Sequence, residues 1–396
     1  MPWRDSRPRW PEAATSASLL SDPNRLPAPM LRALFTLDYE IHGNGDGSPL
    51  ELMVEPTNRM MRQFEEYGAK LTILADIGEI LQFKRHAEET GRDDYHYGEI
   101  SAQLKDAIRR GHDVQLHLHS SYFNARHENG AWVQDWSEYS FADLPLDRAR
   151  EMIRQGKEYL ENLLQPVDPA YSCFVFRAAN WSMNPSRNAT QALVENGFTI
   201  DTSVFKYGQR EGLVTFDYSH APSSVIPWRA SPDDICRPDP SGQLCEFPIY
   251  TELRWIGAFL TPHRIYRALQ SRRHRISDYG PPTESAAKAT PSPRQSARAP
   301  LFARKSAWKA DFNQCTGRQL IRALLRAEAT CQPAPETPLP FVLIGHSKLF
   351  TQFNAWSLRP FLRHIATHPQ RFAFGTFADF SLPAMDSRHL PAPVIT

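Results

Sequence analysis

Short apolar runs alternate with longer amphipathic stretches along most of the chain. Runs of apolar residues bounded by glycine, proline or polar clusters are typical of buried strands, whereas apolar residues three and four positions apart are typical of helices. On this basis strands are predicted at about 31–37, 70–75, 111–121, 171–176, 198–201, 245–250, 341–344 and 372–374. Helices are predicted at about 56–67, 77–90, 96–110, 146–164, 185–197, 262–273, 316–329 and from 356 onwards.

This alternation of strands and helices predicts an α/β fold with a parallel sheet, closed as an irregular barrel of seven or eight strand–helix units. Residues 30–380 are predicted to form one domain, preceded by a disordered extension at 1–29 and followed by a tail at 381–396. Residues 274–310 are rich in proline, serine, alanine and basic residues and have little to bury, which predicts a flexible insertion in the domain.

The amino-acid composition limits which kinds of binding partner are expected. Lysine and arginine total 45 against 44 aspartate and glutamate residues, so no global charge favours nucleic acid or an anionic membrane. No apolar run has the length of a secretory or membrane-spanning segment, and the five cysteines are scattered without a CxxC spacing. We therefore expect a cytoplasmic protein without nucleic-acid or membrane partners, and no pattern specifies its oligomeric state.

Polar side chains follow several of the predicted strands at the point where each strand ends. In a parallel barrel these carboxyl ends share one face, which is where active sites are built. The sequence therefore predicts one site that combines several strands. Its candidate residues are Asp38, Glu40, His117, His119, Arg177, Asp201 and His346.

The segment GHDVQLHLHSS, residues 111–121, is the strongest chemical signal among these strand ends. Successive strand side chains point to opposite faces, so His117 and His119 share one face while the leucines between them share the other. Two imidazoles two positions apart can lean onto one ion. The pattern favours a metal-binding strand, although a buried and an exposed histidine without a metal would show the same spacing.

Five motifs occur in the order in which one known family carries them: LFTLDYE, GHDVQLHLHSS, FRAANWS, DTSV and LIGHSK. In this order they resemble the motifs of the NodB-type polysaccharide deacetylases, carbohydrate esterase family 4. The resemblance extends from Ala33 to about Lys348, most of the chain. It implies an irregular (β/α) barrel of the polysaccharide deacetylase type and a metal-dependent hydrolase.

Carried over to this sequence, the resemblance implies Asp38 as the general base and Glu40 as a metal ligand together with His117. The common form of the first motif has adjacent carboxylates, whereas here Tyr39 separates them. A spacing of two still places both carboxylates on one face of a strand. A divalent ion held in this way lowers the pKa of a bound water and polarises a carbonyl, and the second carboxylate can accept the water's proton.

The second motif departs further from the family. Its common form has two histidines four residues apart, which places Ser121 where the second histidine would be, and serine is a poor zinc ligand. Two alternatives follow: His119 supplies the third ligand through strand alternation, or the loop that holds Asn124 and His127 supplies it.

The remaining motif residues have roles that the resemblance implies. His346 would protonate the departing amine, Arg177 would orient Asp38 and keep it ionised, and Asp201 would hold His346 protonated. Arg177 and Asp201 can equally form a buried ion pair with no catalytic role. Trp181 is a candidate for substrate binding through stacking on a sugar ring, with a place in the core as the alternative.

The predicted function is the hydrolysis of a C–N amide bond, specifically the N-deacetylation of an N-acetylated sugar or polysaccharide. Zinc is the default ion, and sites of carboxylate and histidine also accept cobalt, nickel or manganese. One alternative is hydrolysis of another small amide or a nucleotide-linked sugar. Another is a non-catalytic carbohydrate-binding protein that has lost the metal, which Ser121 keeps open.

Overall fold

The computed structural model describes residues 31–41, 47–259, 305–331 and 338–380. The predicted N-terminal extension, the helix at 262–273 and the C-terminal tail lie outside these residues. The predicted insertion at 274–310 lies outside them up to residue 304, but its last part does not. Residues 305–309 form a strand, because they pair antiparallel with residues 251–255.

The central sheet is built mainly from parallel strands, in the spatial order β11–β10–β12–β7–β6–β3–β2–β1–β15, with β16 paired to β1. Its members are β1 (Leu31–Tyr39), β2 (Leu71–Asp76), β3 (Asp113–Leu118), β6 (Val175–Ala178), β7 (Ile200–Asp201), β10 (Trp228–Ser231), β11 (Asp234–Pro238), β12 (Cys245–Glu246), β15 (Leu339–His346) and β16 (Phe372–Phe374). Three two-stranded antiparallel sheets accompany it within the described residues: β4 (Arg126–Glu128) with β5 (Ala131–Val133), β8 (Gln209–Arg210) with β9 (Phe216–Asp217), and β13 (Thr251–Trp255) with β14 (Lys305–Lys309).

The segment after β12 connects the two sides of the sheet. The backbone N–H of Ile249 donates to the Val204 carbonyl at 2.9 Å, and Ile249 forms a parallel bridge with Val342 of β15. The N–H of Tyr250 donates to the carbonyl of Val342 at 3.0 Å. The sheet therefore curls round through β12 to β15, which confirms the irregular barrel that the sequence predicts.

Helices cover the outside of the sheet close to where the periodicity predicts them. None of the helices within the described ranges is long and apolar enough to cross a bilayer. Their bounds are α1 (Glu55–Glu65), α2 (Ile77–Thr90), α3 (Tyr97–Arg109), α4 (Leu146–Leu164), α5 (Ser186–Glu195), α6 (Gly317–Cys331) and α7 (Gln352–Ala366).

Helix α4 presses closely on the strand that carries the two histidines. Its buried residues Met152, Ile153 and Leu160 face the sheet. A Cβ added at Gly156 would lie 2.7 Å from Cδ1 of Leu116, so glycine lets the helix come this close without displacing that side chain. Because Leu116 points outwards to α4, strand alternation turns His117 to the opposite, inner side of the barrel.

Candidate functional site

The register of the parallel strands brings the predicted site residues to one end of the barrel. Asp38 of β1 pairs with His346 of β15, and Asp76 of β2 pairs with His117 of β3. His117 in turn pairs with Arg177 of β6. Neighbouring strands thus end at similar heights, so their polar side chains converge on the same pocket.

Glu40, His117 and His119 form a compact cluster at this end. Oε2 of Glu40 lies 2.9 Å from Nε2 of His117 and 2.7 Å from Nε2 of His119. All three side chains are buried, and the candidate ligand atoms lie within 4.8 Å of one another. One carboxylate oxygen and two imidazole nitrogens are a donor set that zinc and related divalent ions accept.

Two further contacts of this cluster fit a metal site. Nδ1 of His117 lies 2.9 Å from the carbonyl oxygen of Arg177. A carbonyl only accepts, so Nδ1 carries a proton and Nε2 is the nitrogen available to a ligand. Lys348 Nζ lies 3.0 Å from Oε1 of Glu40, which leaves Oε2 facing the histidines.

The electrostatics of the cluster favour positive charge. Burial opposes protonation of His117, but the carboxylates of Glu40, Asp38 and Asp76 raise its pKa to about 9. The pKa of His119 is also raised, with burial opposed by Glu40 and Asp76. A site that stabilises an extra positive charge on its histidines is one that can hold a cation in place of those protons.

Of the two alternatives for the third ligand, His119 is the one that lies beside Glu40. His119, and not Ser121, faces Glu40. Ser121 Oγ instead donates to Oε1 of Gln134 at 2.8 Å. His127 Nε2 lies 2.8 Å from the hydroxyl of Tyr95 and packs there against other aromatic rings.

Asp38 has a separate set of partners. Nη1 of Arg177 donates to Oδ1 of Asp38 at 2.7 Å, and Nε2 of His346 lies 3.6 Å from Oδ2. Arg177 is fully buried and also donates to the carbonyl of Thr202 at 2.8 Å. Burial by itself would raise the pKa of Asp38, but the Arg177 guanidinium holds that pKa below its usual value. Asp38 is therefore an ionised carboxylate with one oxygen facing the pocket.

The expected pairing of Asp201 with His346 is corrected by the structure. Asp201 accepts hydrogen bonds from the backbone N–H of Ser203 at 3.1 Å and from its hydroxyl at 2.8 Å, and it shares a hydrogen bond with Glu246. Burial raises the pKa of both carboxyls, so the two hold a proton between them. The reason is the register of β7 and β12, which places Asp201 beside Glu246.

His346 consequently differs from the expectation that it is held protonated. Burial lowers its pKa, and the carboxylates of Asp38, Glu40 and Asp311 offset this only in part. Nδ1 of His346 is buried and has no hydrogen-bond partner within the described part of the chain. His346 is thus a neutral imidazole at pH 7.

Trp181 follows the carboxyl end of β6, the strand that carries Arg177. The Lys309 Nζ sits 3.5 Å from the centre of its indole ring, and the ring of Phe205 packs edge-on at 5.1 Å. Asn180 and Trp181 have φ of 55° and 56°, a left-handed conformation that is rare for non-glycine residues. The ring is half-buried, and Lys309 lies over it.

Several residues of the pocket are missing from the sequence prediction. Asp76 is the last residue of β2, so the rule that polar residues at strand ends share one face would have found it. Its Oδ1 accepts a hydrogen bond from the backbone N–H of His119 at 3.0 Å. Lys348 lies within the LIGHSK motif, two positions beyond His346. No motif or strand end in the sequence pointed to Glu79 or Lys309. Burial raises the pKa of Glu79 to about 7.

No family model matches the sequence, and none of the curated proteins matches it. Solved structures that are similar include an inferred polysaccharide deacetylase from Mycobacterium smegmatis, with 15% identity over 96% of this chain and 98% of that chain and a TM-score of 0.45. Puue allantoinase shows 13% identity over 93% and 96%, with a TM-score of 0.44. The Xyl-CE4 domain of a xylanase from the hindgut metagenome of Trinervitermes trinervoides shows 10% identity over 89% of each chain, with a TM-score of 0.33.

Proposed function

We propose that the chain is a divergent NodB-type polysaccharide deacetylase, a metal-dependent hydrolase that removes the acetyl group from an N-acetylated sugar. One observation carries the proposal: the two carboxylates that end β1 have different partners. Glu40 lies with two histidines, as a metal ligand does, while Asp38 is held by Arg177 and faces His346. Metal-dependent amide hydrolysis needs one carboxylate that binds the metal and another group that acts as the base, and Glu40 and Asp38 would supply them.

Glu40, His117 and His119 would hold the metal, and zinc fits three such ligands with one position left open. When bound, the ion would lower the pKa of a water and polarise the amide carbonyl. Lys348 keeps one oxygen of Glu40 occupied, so Glu40 offers a single oxygen. The imidazole of His117 is oriented by the carbonyl of Arg177, which fixes the tautomer that the site requires.

Asp38 would accept the proton of the attacking water at Oδ2, the oxygen that Arg177 does not occupy. Arg177 keeps Asp38 ionised at neutral pH, so the carboxylate is ready to act as a base. His346 lies 3.6 Å from that oxygen and is neutral. It can therefore receive a proton on the Asp38 side and deliver one to the leaving nitrogen. Asp201 is proposed to support the site only through its buried pair with Glu246.

A cytoplasmic location is part of the proposal. Its support is that Cys173, Cys236, Cys245 and Cys315 are buried free thiols, as is usual in a reducing compartment.

Acetate release from N-acetylated sugars and chito-oligomers tests the proposal. We expect turnover by the metal-loaded protein, loss on treatment with a chelator and recovery on adding zinc. Asp38→Asn should lower kcat by about 10²–10⁴-fold, the usual contribution of a general base, while metal content stays unchanged. His127→Ala is the matched control, because His127 lies outside the cluster, and it should keep full activity.

Two outcomes would contradict the proposal. Turnover that is unaffected by removing the metal would exclude metal-dependent hydrolysis. Binding of saccharides that is indifferent to a chelator and occurs without turnover would instead identify a carbohydrate-binding protein.

A further inference from the structure

Two cations lie beside Asn180 and Trp181, the residues that follow β6. Lys309 Nζ lies 3.5 Å from the centre of the Trp181 ring and 4.2 Å from that of Phe205. Nη1 of Arg210 donates to the side-chain oxygen of Asn180 at 3.0 Å. Among the residues that the structure describes, no carboxylate forms an ion pair with either cation. Both side chains are half-buried.

The two cations contact adjacent residues, Trp181 and Asn180, which follow the end of β6, the strand that carries Arg177. Burial lowers the pKa of Lys309 to about 8, with Arg177 and Arg210 acting in the same direction and Asp311 and Asp38 acting against them. These groups thus lie close enough to act on Lys309. With a pKa of about 8, Lys309 is mostly protonated at pH 7, so this region carries two positive charges.

A third donor of the same region is unsatisfied. Nδ2 of Asn180 is buried and has no hydrogen-bond partner in the described part of the chain. Its side-chain oxygen is occupied by Arg210, which turns the amide so that Nδ2 points away from that guanidinium. The left-handed backbone at Asn180 and Trp181 is a strained conformation that functional sites often hold. Tyr218 supports it by donating its hydroxyl to the carbonyl of Trp181.

A bound anion would stabilise the two cations and the unpaired amide donor together. An ammonium removed from water is stabilised only in part by aromatic rings, and a neighbouring guanidinium adds repulsion. A buried amide donor without an acceptor adds a further cost. An oxyanion bound by Lys309 and Arg210 would offset the first two costs, because it supplies negative charge, and an oxygen of the same group that accepts from Nδ2 of Asn180 would offset the third.

We propose that the substrate carries an oxyanion, a carboxylate or a phosphate group, which Lys309, Arg210 and Nδ2 of Asn180 bind beside the scissile amide. This inference rests on the proposed function and narrows it to an N-acylated substrate with a negative charge, such as an acidic or phosphorylated amino sugar. Trp181 then orients Lys309 and does not stack on a sugar ring through the face that Lys309 covers.

The anion site is tested first by binding, without turnover. Calorimetric titration of the metal-loaded protein with inorganic phosphate and with D-lactate compares the two oxyanions. We expect binding by wild type, and at least about a tenfold loss of affinity in Lys309→Met and in Arg210→Gln, the effect of removing one hydrogen bond to a charged group. Lys309→Arg should keep the affinity within a few-fold. Lys206→Met is the matched control, because Lys206 also lies over an aromatic ring, that of Tyr207, and should bind as wild type does.

Hydrolysis then tests the substrate class with three probes that share one amide: N-acetylglucosamine, its 6-phosphate and N-acetylmuramic acid. We expect a higher kcat/KM for at least one anionic probe, and Lys309→Met should abolish that preference by lowering kcat/KM for the anionic probe much more than for the neutral sugar. The preferred probe distinguishes phosphate from carboxylate.

Failure of the anion site and failure of the proposed function would give different results. Phosphate or lactate binding that is lost in Lys309→Met, without hydrolysis of any amide, would support the anion site and overturn the proposed function. Hydrolysis with equal kcat/KM for neutral and anionic probes would overturn the anion site. Anion binding that persists in both Lys309→Met and Arg210→Gln would also overturn it, since the anion would then bind elsewhere.

Discussion

The buried pair of Arg177 and Asp38 gives a prediction whose size follows from the structure. Nη1 and Oδ1 are 2.7 Å apart, and the two side chains are 0% and 5% exposed. At an effective dielectric constant of about 20 this separation corresponds to a gross attraction of about 6 kcal/mol. Desolvation of both groups cancels part of that attraction, but removing only the guanidinium leaves the carboxylate buried alone. We expect Arg177→Met to lower the free energy of unfolding by about 3–5 kcal/mol.

A double-mutant cycle separates the pair from the other contacts of Arg177. Asp38→Asn keeps the shape of the side chain without its charge, so Asp38→Asn/Arg177→Met should be less destabilised than the sum of the single variants by about 1–3 kcal/mol. The assay is guanidinium chloride unfolding of chelator-treated protein, followed by fluorescence. Arg148→Met is the matched control, because Arg148 pairs with Glu138 near the surface, and it should cost no more than about 1 kcal/mol.

The pH dependence has a defined sign. Arg177 holds the pKa of Asp38 below its ordinary value, so the stability that the pair contributes is complete above that ordinary value and is lost as the pH falls through the folded-state pKa. The difference between wild type and Arg177→Met should therefore be largest at neutral pH and shrink in acid. A variant within about 1 kcal/mol of wild type at pH 7, or a cycle that is strictly additive, would refute the assignment of a buried charge pair.

The sequence predicted those parts of the fold and site that follow from periodicity. The helix at 146–164 and the strand at 372–374 were found with correct bounds, because each has a clear apolar spacing of its own. Asp38 and His117 were placed correctly because parallel strands of a barrel end on one face, a rule that needs no knowledge of the partners. The same rule cannot say which side chains then meet.

Two residues, Asp201 and Lys309, show where prediction from the local sequence pattern fails. Asp201 lies in a strand of only two residues, and its partner Glu246 lies in another, so neither strand is long enough for alternation to reveal the pairing. Lys309 lies at the end of a stretch whose composition predicts flexibility, yet its strand is held by pairing with Thr251–Trp255, more than 50 positions earlier in the chain. Partners distant in sequence decide both cases, and one sequence does not contain that information.

Three further predictions follow from the described contacts. We expect wild type to carry metal in near-stoichiometric amount by elemental analysis, and Glu40→Gln and His119→Ala each to lose it, since each removes one of the three proposed ligands; metal retained in His119→Ala would place the third ligand elsewhere. Glu246→Gln should be more stable than wild type at pH 8 by at least about 1.4 kcal/mol, the value of one pKa unit, and no more stable at pH 4. Burial raises the folded-state pKa of Glu246, so wild type loses stability as the pH rises above the ordinary glutamate value, and the neutral amide does not; equal unfolding free energies at pH 8 would exclude the shared proton with Asp201. The KM for an anionic substrate should rise as the pH passes about 8, where Lys309 loses its proton while the arginines and carboxylates that face it keep their charges. That rise should be absent in Lys309→Arg, because a guanidinium stays charged over the whole range, and a KM that is flat with pH in wild type would remove Lys309 from the binding site.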